Sequence, residues 1–198
     1  MGIGTIHCSH SCRTLYSYYL TDPKSISAID EYLVKMADLS SEISLKNEKP
    51  HQVTNLLRLA EMRSLAEPQK ISMRIEVGKN VSLLCDESHM VEVFVNVVNN
   101  AIEAMRGEGE IIISDKKGRS KYELRFKDHG DGISKELLRD IFMPLFSSKR
   151  GGAHHGIGLA YCKNVINKHG GRIYAESTEG KGATIVISLP ANRVLGVG

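Results

Sequence analysis

The 198-residue sequence predicts an α+β fold, a two-layer sandwich in which helices cover one face of a mixed sheet, preceded by an α-helical hairpin. Three observations carry this reading. Beyond residue 50, segments alternating in polarity at every second residue occur beside segments with a 3.6-residue period. These strands and helices mix without the strict alternation that an all-parallel sheet demands. Before residue 46, apolar positions recur at alternating steps of three and four, a seam fit for a helix packed on another helix, another subunit or its own domain.

Composition narrows the classes further. The chain is 41% hydrophobic and 25% charged, as expected of a globular protein with a real core. A net charge of +3 is too small and too scattered to argue for nucleic acid. No apolar run approaches membrane-spanning length, and no basic-then-apolar signal segment opens the chain. Cys8, Cys12, Cys85 and Cys162 lack framework spacing and read as reduced thiols, so a cytoplasmic setting without membrane contact is expected.

The elements follow in order. "IHCSHSCRTL" (6–15) packs two histidines and two cysteines into six positions. Zinc needs about four convergent ligands. On one helix, Cys8 and Cys12 share a face while His10 points to the opposite side, so a single helix cannot converge them. A metal shared between two chains, ordinary packing, and a setting for one reactive histidine all stay open here. "TDPKS" is a break and a start, with Asp22 suited to N-cap and Pro23 to the first helical turn. Ile26, Ile29, Leu33, Met36 and Ile43 then form a seam that suits either a partner helix or the chain's own domain. "KNEKP" (46–50) reads as a boundary. After it come an amphipathic helix over 51–66, strands "ISMRIEV" and "VSLLC", and a helix over 87–105 N-capped by Asp86 and ended by "RGEG". Strands "EIIISD" and "KYELRFKD" follow, the second alternating Tyr122, Leu124 and Phe126 with charged residues. A glycine-rich stretch, a short helix and further glycines lead into a helix over 157–169 closed by Gly170 and Gly171. "RIYAEST" and "ATIVISLP" are the last strands. The divisions are 1–47 for the hairpin, 48–190 for the main domain and 191–198 for a tail.

The helix 87–105 holds what propensity disfavours. Its core stripe is Met90, Phe94, Val97, Ala101 and Met105, but Asn96, Asn99 and Asn100 sit in its interior. Amide and carboxylate oxygens in a row suit Mg²⁺, a hard ion that bridges to phosphates; a plain solvated face would ordinarily carry lysine and glutamate. "DHGDG" places Asp128, Gly130 and Gly132 directly after a strand. A carboxylate there can accept from an exocyclic amine, and the glycines admit a flat ligand; the same letters also make a simple turn. "SSKRGGAHHGIGLAYCK" leads glycines into a helix start, where backbone N–H groups and the helix dipole favour polyphosphate.

Taken together and in this order, "EVFVNVVNNAIEAM", "DHGDGI", "IFMPLFSSK" and "HGIGLAYC" resemble the N box, two glycine boxes and phenylalanine box of sensor histidine kinases. The wider superfamily contains DNA gyrase B, Hsp90 and MutL, and the resemblance spans roughly residues 50–190. It implies a Bergerat-type ATP-binding fold with Asn100 holding Mg²⁺ against the phosphates of ATP and Asn96 beside it. It implies Asp128 on the adenine amino group, with Gly130, Gly132 and Ile133 shaping that pocket. Phe142 and Phe146 would anchor a lid running through Ser147, Ser148 and Lys149, and Gly156, Gly158 and Leu159 would face the phosphates. His129, His154 and His155 depart from the common pattern and receive no role. The gyrase and MutL branch keeps a general-base glutamate where this chain has Asn96, which cannot take a proton from water.

Seen from this resemblance, Ser9, His10, Arg13 and Thr14 match the family's phosphoacceptor box in register, with Ser11 where an acid is usual and Leu15 where proline is usual. The resemblance therefore implies a homodimeric, Mg²⁺-dependent protein-histidine kinase that autophosphorylates on His10 from ATP. The phosphoryl group would pass to an aspartate of a response regulator receiver domain, with Thr14 implicated in the reverse, phosphatase step. The sensing region lies outside this chain, so either a fragment or a cytosolic kinase signalled by a partner is expected. A catalytically weak nucleotide-binding module that controls a partner is the alternative. A serine kinase resembling anti-sigma factors is argued against by the seam at 26–43.

Overall fold

The computed structural model describes residues 43–65, 70–144, 146 and 156–196. The hairpin expected over 1–47, including His10 and Thr14, lies outside them apart from its last residues. Ile43, the final position of the predicted seam, is buried in the core of the domain that follows, so at this residue the seam serves its own domain.

The first strand, β1 (Glu48–Gln52), occupies what reads as a boundary in the sequence. It is an edge strand, antiparallel to β3, and an edge tolerates Pro50 because no second neighbour needs its missing N–H. Helix α1 (Val53–Ser64) therefore starts two residues later than its periodicity suggests. Strands β2 (Lys70–Glu76) and β3 (Ser82–Asp86) lead to α2 (Glu87–Ala104), where the Asp86 carboxylate accepts from the His89 N–H at 3.3 Å and caps the helix. At the other end, Arg106 and Gly107 have φ of 57° and 80°, and the Gly107 N–H donates back to the Ile102 carbonyl at 3.1 Å.

Strands β4 (Glu108–Lys117) and β5 (Lys121–Lys127) form a hairpin, and a short 3-10 turn occupies Leu137–Arg139. Helix α3 (Gly158–Lys168) is followed by β6 (Arg172–Ser177) and β7 (Ala183–Pro190). As expected, Gly170 closes α3 with a φ of 73°. Of the residues read as a tail, 191–195 belong to the domain: a 3-10 turn at Ala191–Arg193 leads to β8 (Val194–Leu195), which pairs with β3.

The strands form two sheets. One is mixed, in the order β2-β4-β5-β7-β6, with only the β2–β4 pair parallel; the other is antiparallel, β1-β3-β8. Among the described residues, three helices pack on one face of the larger sheet, with Phe94 of α2 and Phe126 of β5 at a ring separation of 5.4 Å. The predicted stripe of Met90, Phe94, Val97, Ala101 and Met105 is buried throughout. The other face carries charge. Lys121, Glu123 and Arg125 of β5 link with Tyr174 and Glu176 of β6, and this layer roofs Val186, which is fully buried. Aliphatic stems of long charged side chains can seal such a face without an apolar layer.

Two polar ties join the sheets and helices. His169 is 1% exposed; its Nδ1–H donates to the Val165 carbonyl at 2.8 Å while Nε2 accepts the Asp86 N–H at 3.2 Å. Burial holds this imidazole below its ordinary pKa and so keeps it neutral. Arg193 pairs with Glu48 and also reaches the Leu84 carbonyl at 3.3 Å. Cys85 and Cys162 are buried thiols, and burial pushes the Cys85 thiol up to about 12.

Candidate functional site

One wall of the site is the carboxyl half of α2. Asn96 donates from Nδ2 to the Glu92 carbonyl at 2.8 Å and to Glu92 Oε1 at 3.3 Å. Asn100 repeats the pattern one turn on, donating to the Asn96 carbonyl at 2.7 Å. Asparagines that satisfy their amide donors on their own helix leave Oδ1 as the outward-facing acceptor. Asn96 is 8% exposed, because the start of α3 covers it. A Cβ placed on Gly158 would lie 2.6 Å from Asn96 Oδ1, so the helix start approaches only because residue 158 is glycine. Asn96 and Gly158, distant in sequence, are thus brought together, with Asn100 one turn further along α2. The resulting group of amide oxygens beside a helix N-terminus suits a hydrated hard cation and the phosphates it bridges.

The opposite wall is the loop after β5. Asp128 is 5% exposed; its Oδ1 accepts the Gly130 N–H at 2.9 Å and the Ala183 N–H at 3.1 Å. Among the described residues nothing donates to its Oδ2, which leaves an acceptor with capacity for one more donor, the role an exocyclic amine would fill. Gly130 runs against the C-terminus of α2, where a Cβ would come 2.5 Å from the Ala104 carbonyl oxygen. Gly132 turns the chain with a φ of 72°, which glycine adopts without strain. The Ile133 N–H donates to Ser177 Oγ at 2.8 Å. The loop is also tied to α2 by the Asp131 N–H on the Ala104 carbonyl at 3.2 Å, and by an exposed Arg106–Asp131 ion pair.

The remaining predicted residues divide. Phe142 is buried in the core and Phe146 is half-buried, its N–H on the Met143 carbonyl at 3.3 Å. Gly156 has a φ of 68°, and Leu159 packs on the core beside it in α3. Ser147, Ser148, Lys149, His154 and His155 lie outside the described residues, as do His10 and Thr14. Sequence reasoning passed over the β6–β7 turn, residues 177–183, which meets the Asp128 loop along its length. The signal was present in "TEGKGA", two glycines closing a tight turn, but it reads as an ordinary hairpin connection.

Comparison with known proteins identifies the family and the fold. A family model described as "Histidine kinase-, DNA gyrase B-, and HSP90-like ATPase" matches residues 85–193. Sporulation kinase C of Bacillus subtilis is 32% identical over 148 residues, covering 72% of this chain and 34% of the relative. The sensor histidine kinase ZraS of Salmonella typhi is 33% identical over 160 residues, covering 80% of this chain and 33% of the relative. The chain therefore spans about a third of the length of these curated relatives. Among solved structures, the mycobacterial sensor histidine kinase MprB superimposes with a TM-score of 0.65 at 25% identity, covering 73% of this chain and 97% of that one. The catalytic domain of histidine kinase ThkA gives 0.62 at 27% identity, covering 73% and 95%. The chain belongs to the histidine kinase-, DNA gyrase B- and HSP90-like ATPase family, as an ATP-binding domain of the sensor histidine kinase kind.

Proposed function

We propose that this chain is the transmitter portion of a sensor histidine kinase, which transfers the γ-phosphoryl group of ATP to His10 and then to an aspartate of a response regulator receiver domain. It acts as a homodimer on the cytoplasmic side of whatever sensing region accompanies it. Adenine is recognised at Asp128 Oδ2, with Gly130, Gly132 and Ile133 forming the pocket around it. The phosphates lie toward Gly156, Gly158 and Leu159, with Phe146, Ser148 and Lys149 closing over them. Asn100, with Asn96 beside it, would hold Mg²⁺, which when bound supplies charge neutralisation for the phosphates.

Transfer places a lone pair of one His10 ring nitrogen on the γ-phosphorus while the bond to the bridging oxygen breaks and ADP departs with its electrons. The proton on the other ring nitrogen is then lost to water, since Ser11 offers no carboxylate to receive it. Thr14 orients water for the reverse, phosphatase step. The observation that carries this reading is the residue at 96. Asn96 lies one turn before Asn100, where a hydrolysing relative needs a general base, and its amide is engaged with Glu92. A site that binds ATP without activating water is suited to a protein acceptor.

The test is incubation with γ-labelled ATP and Mg²⁺, in parallel with His10→Gln and Asn100→Asp. Acid-labile, base-stable label on the parent protein and none on either variant is the expected result. Label that persists in His10→Gln moves the acceptor elsewhere. Nucleotide binding with no label under any condition supports the second reading, a nucleotide-binding module that controls a partner, which Ser11 favours.

A further inference from the structure

The turn between β6 and β7 grips the Asp128 loop at several points. Ser177 Oγ accepts the Ile133 N–H at 2.8 Å and donates to the Gly182 carbonyl at 2.7 Å. One residue beyond Gly182, the Ala183 N–H donates to Asp128 Oδ1 at 3.1 Å, while the Asp128 N–H donates to the Ala183 carbonyl at 2.9 Å. The Gly180 N–H donates to the Asp131 carbonyl at 2.7 Å. These bonds close a ring that runs from Ile133 through Ser177, Gly182 and Ala183 to Asp128 and back along the loop. From the turn's side, Ser177 is the residue whose side chain bonds both to the loop, at Ile133, and to the turn, at Gly182. A hydroxyl has one proton and two lone pairs, so it can satisfy a donor and an acceptor together.

We propose that Ser177 is a positioning residue for base recognition: its hydroxyl sets the spacing of Ile133 from Gly182, and so fixes the direction in which Asp128 presents Oδ2. This rests on the reading of Asp128 as the acceptor for the base. Removing the hydroxyl leaves the Ile133 N–H and the Gly182 carbonyl without the partner they share. The segment 129–133 then gains freedom relative to Ala183, and a carboxylate that must meet a donor at hydrogen-bond distance loses register. Threonine keeps the hydroxyl and suits the end of a strand, so it preserves the relay.

The test is the ratio of ADP to GDP affinity for the full chain, measured by calorimetry and competition in Mg²⁺. It compares the parent with Ser177→Ala, Ser177→Thr and Asp128→Asn. Leu83→Val, in β3 on the other sheet, serves as a stability control. Ser177→Ala is expected to weaken ADP binding about tenfold with little change for GDP, the size of loss that one misaligned hydrogen bond produces. Ser177→Thr returns ADP affinity to within about threefold of the parent, and Leu83→Val lowers the melting temperature without changing the ratio. An ADP-to-GDP ratio unchanged in Ser177→Ala, or a loss that threonine does not rescue, overturns the proposal. If the alanine variant does not fold, Ser177→Cys, which keeps the volume and weakens the donor, is read in the same way. If Asp128→Asn leaves the ADP preference intact, the base-recognition reading itself fails; if Asp128→Asn abolishes it and Ser177→Ala does not, only the role of Ser177 fails.

Discussion

The two walls of the cleft are built differently. The Asp128 wall is locked by main chain: its carboxylate takes N–H groups from its own loop and from β7, and a turn between strands braces it. The Asn96 and Asn100 wall is a single helix face whose amides are held by that helix's own residues. Beside Asn96 it is closed by the close seat of Gly158 at the start of α3. The first wall therefore has a fixed shape, inherited from the sheet. The second depends on where α3 begins, and hence on the glycine that lets it begin there.

Breaking the weaker wall gives the largest expected effect. Gly158→Ala puts a methyl group against Asn96 Oδ1, so either the amide or the helix start must move. A displacement of this order costs about a hundredfold in phosphoryl transfer. Labelling rates should fall accordingly while far-ultraviolet circular dichroism stays unchanged; retained activity would mean the two elements adjust independently. On the firmer wall, Asp128→Asn keeps an oxygen for both backbone N–H groups but loses the charge that strengthens the bond to a ligand amine. ADP affinity should fall by about 2 kcal/mol with little change in melting temperature, as calorimetry and thermal melts would show.

A third experiment asks what holds the asparagine helix at its start. Charging His169 would end its acceptance of the Asp86 N–H, and its folded-state pKa is lowered chiefly by burial. A histidine depressed in the folded state contributes stability that is complete above the unfolded value near 6.5 and is lost as pH falls through and below it. Glu48, Asp86 and Arg193 also face the ring; the two carboxylates raise its pKa and the guanidinium lowers it, and burial outweighs them, so the net direction is downward. Melting temperature should be flat between pH 7 and 8 and should drop below about pH 6.5, whereas His169→Gln should start lower and lose the slope. Smaller still is the cap: Asp86→Ala should cost about 1 kcal/mol in chemical denaturation. Least of all, Glu176→Gln on the charged outer face of the sheet should cost about half a kcal/mol, because its link to Arg125 is solvent-exposed.

These comparisons also explain what could be read from the sequence. The order of elements, the stripe on α2 and the residues of both walls were legible because periodicity and turn chemistry act locally. Strand β1 was not, since Pro50 and a lysine-rich flank disguise an edge strand whose pairing with β3 is non-local. Strand β8 has two residues, too few for any pattern. Glu123 sits on the outward face that alternation assigns it, yet it is 6% exposed, because its burial comes from Lys121, Arg125 and Tyr174 reaching over it. The bracing by Ser177 was invisible for the same reason: it joins residues 44 positions apart.

The buried cysteines have a practical consequence. Cys85 is pushed far from thiolate and Cys162 is fully enclosed, with its thiol on the Val93 carbonyl at 3.6 Å, so neither is a target for alkylation while the domain stays folded. Maleimide taken up by the native protein therefore reports on Cys8 and Cys12, which bracket His10. A change in labelling rate when nucleotide is added would register communication between the cleft and that histidine without any engineered probe.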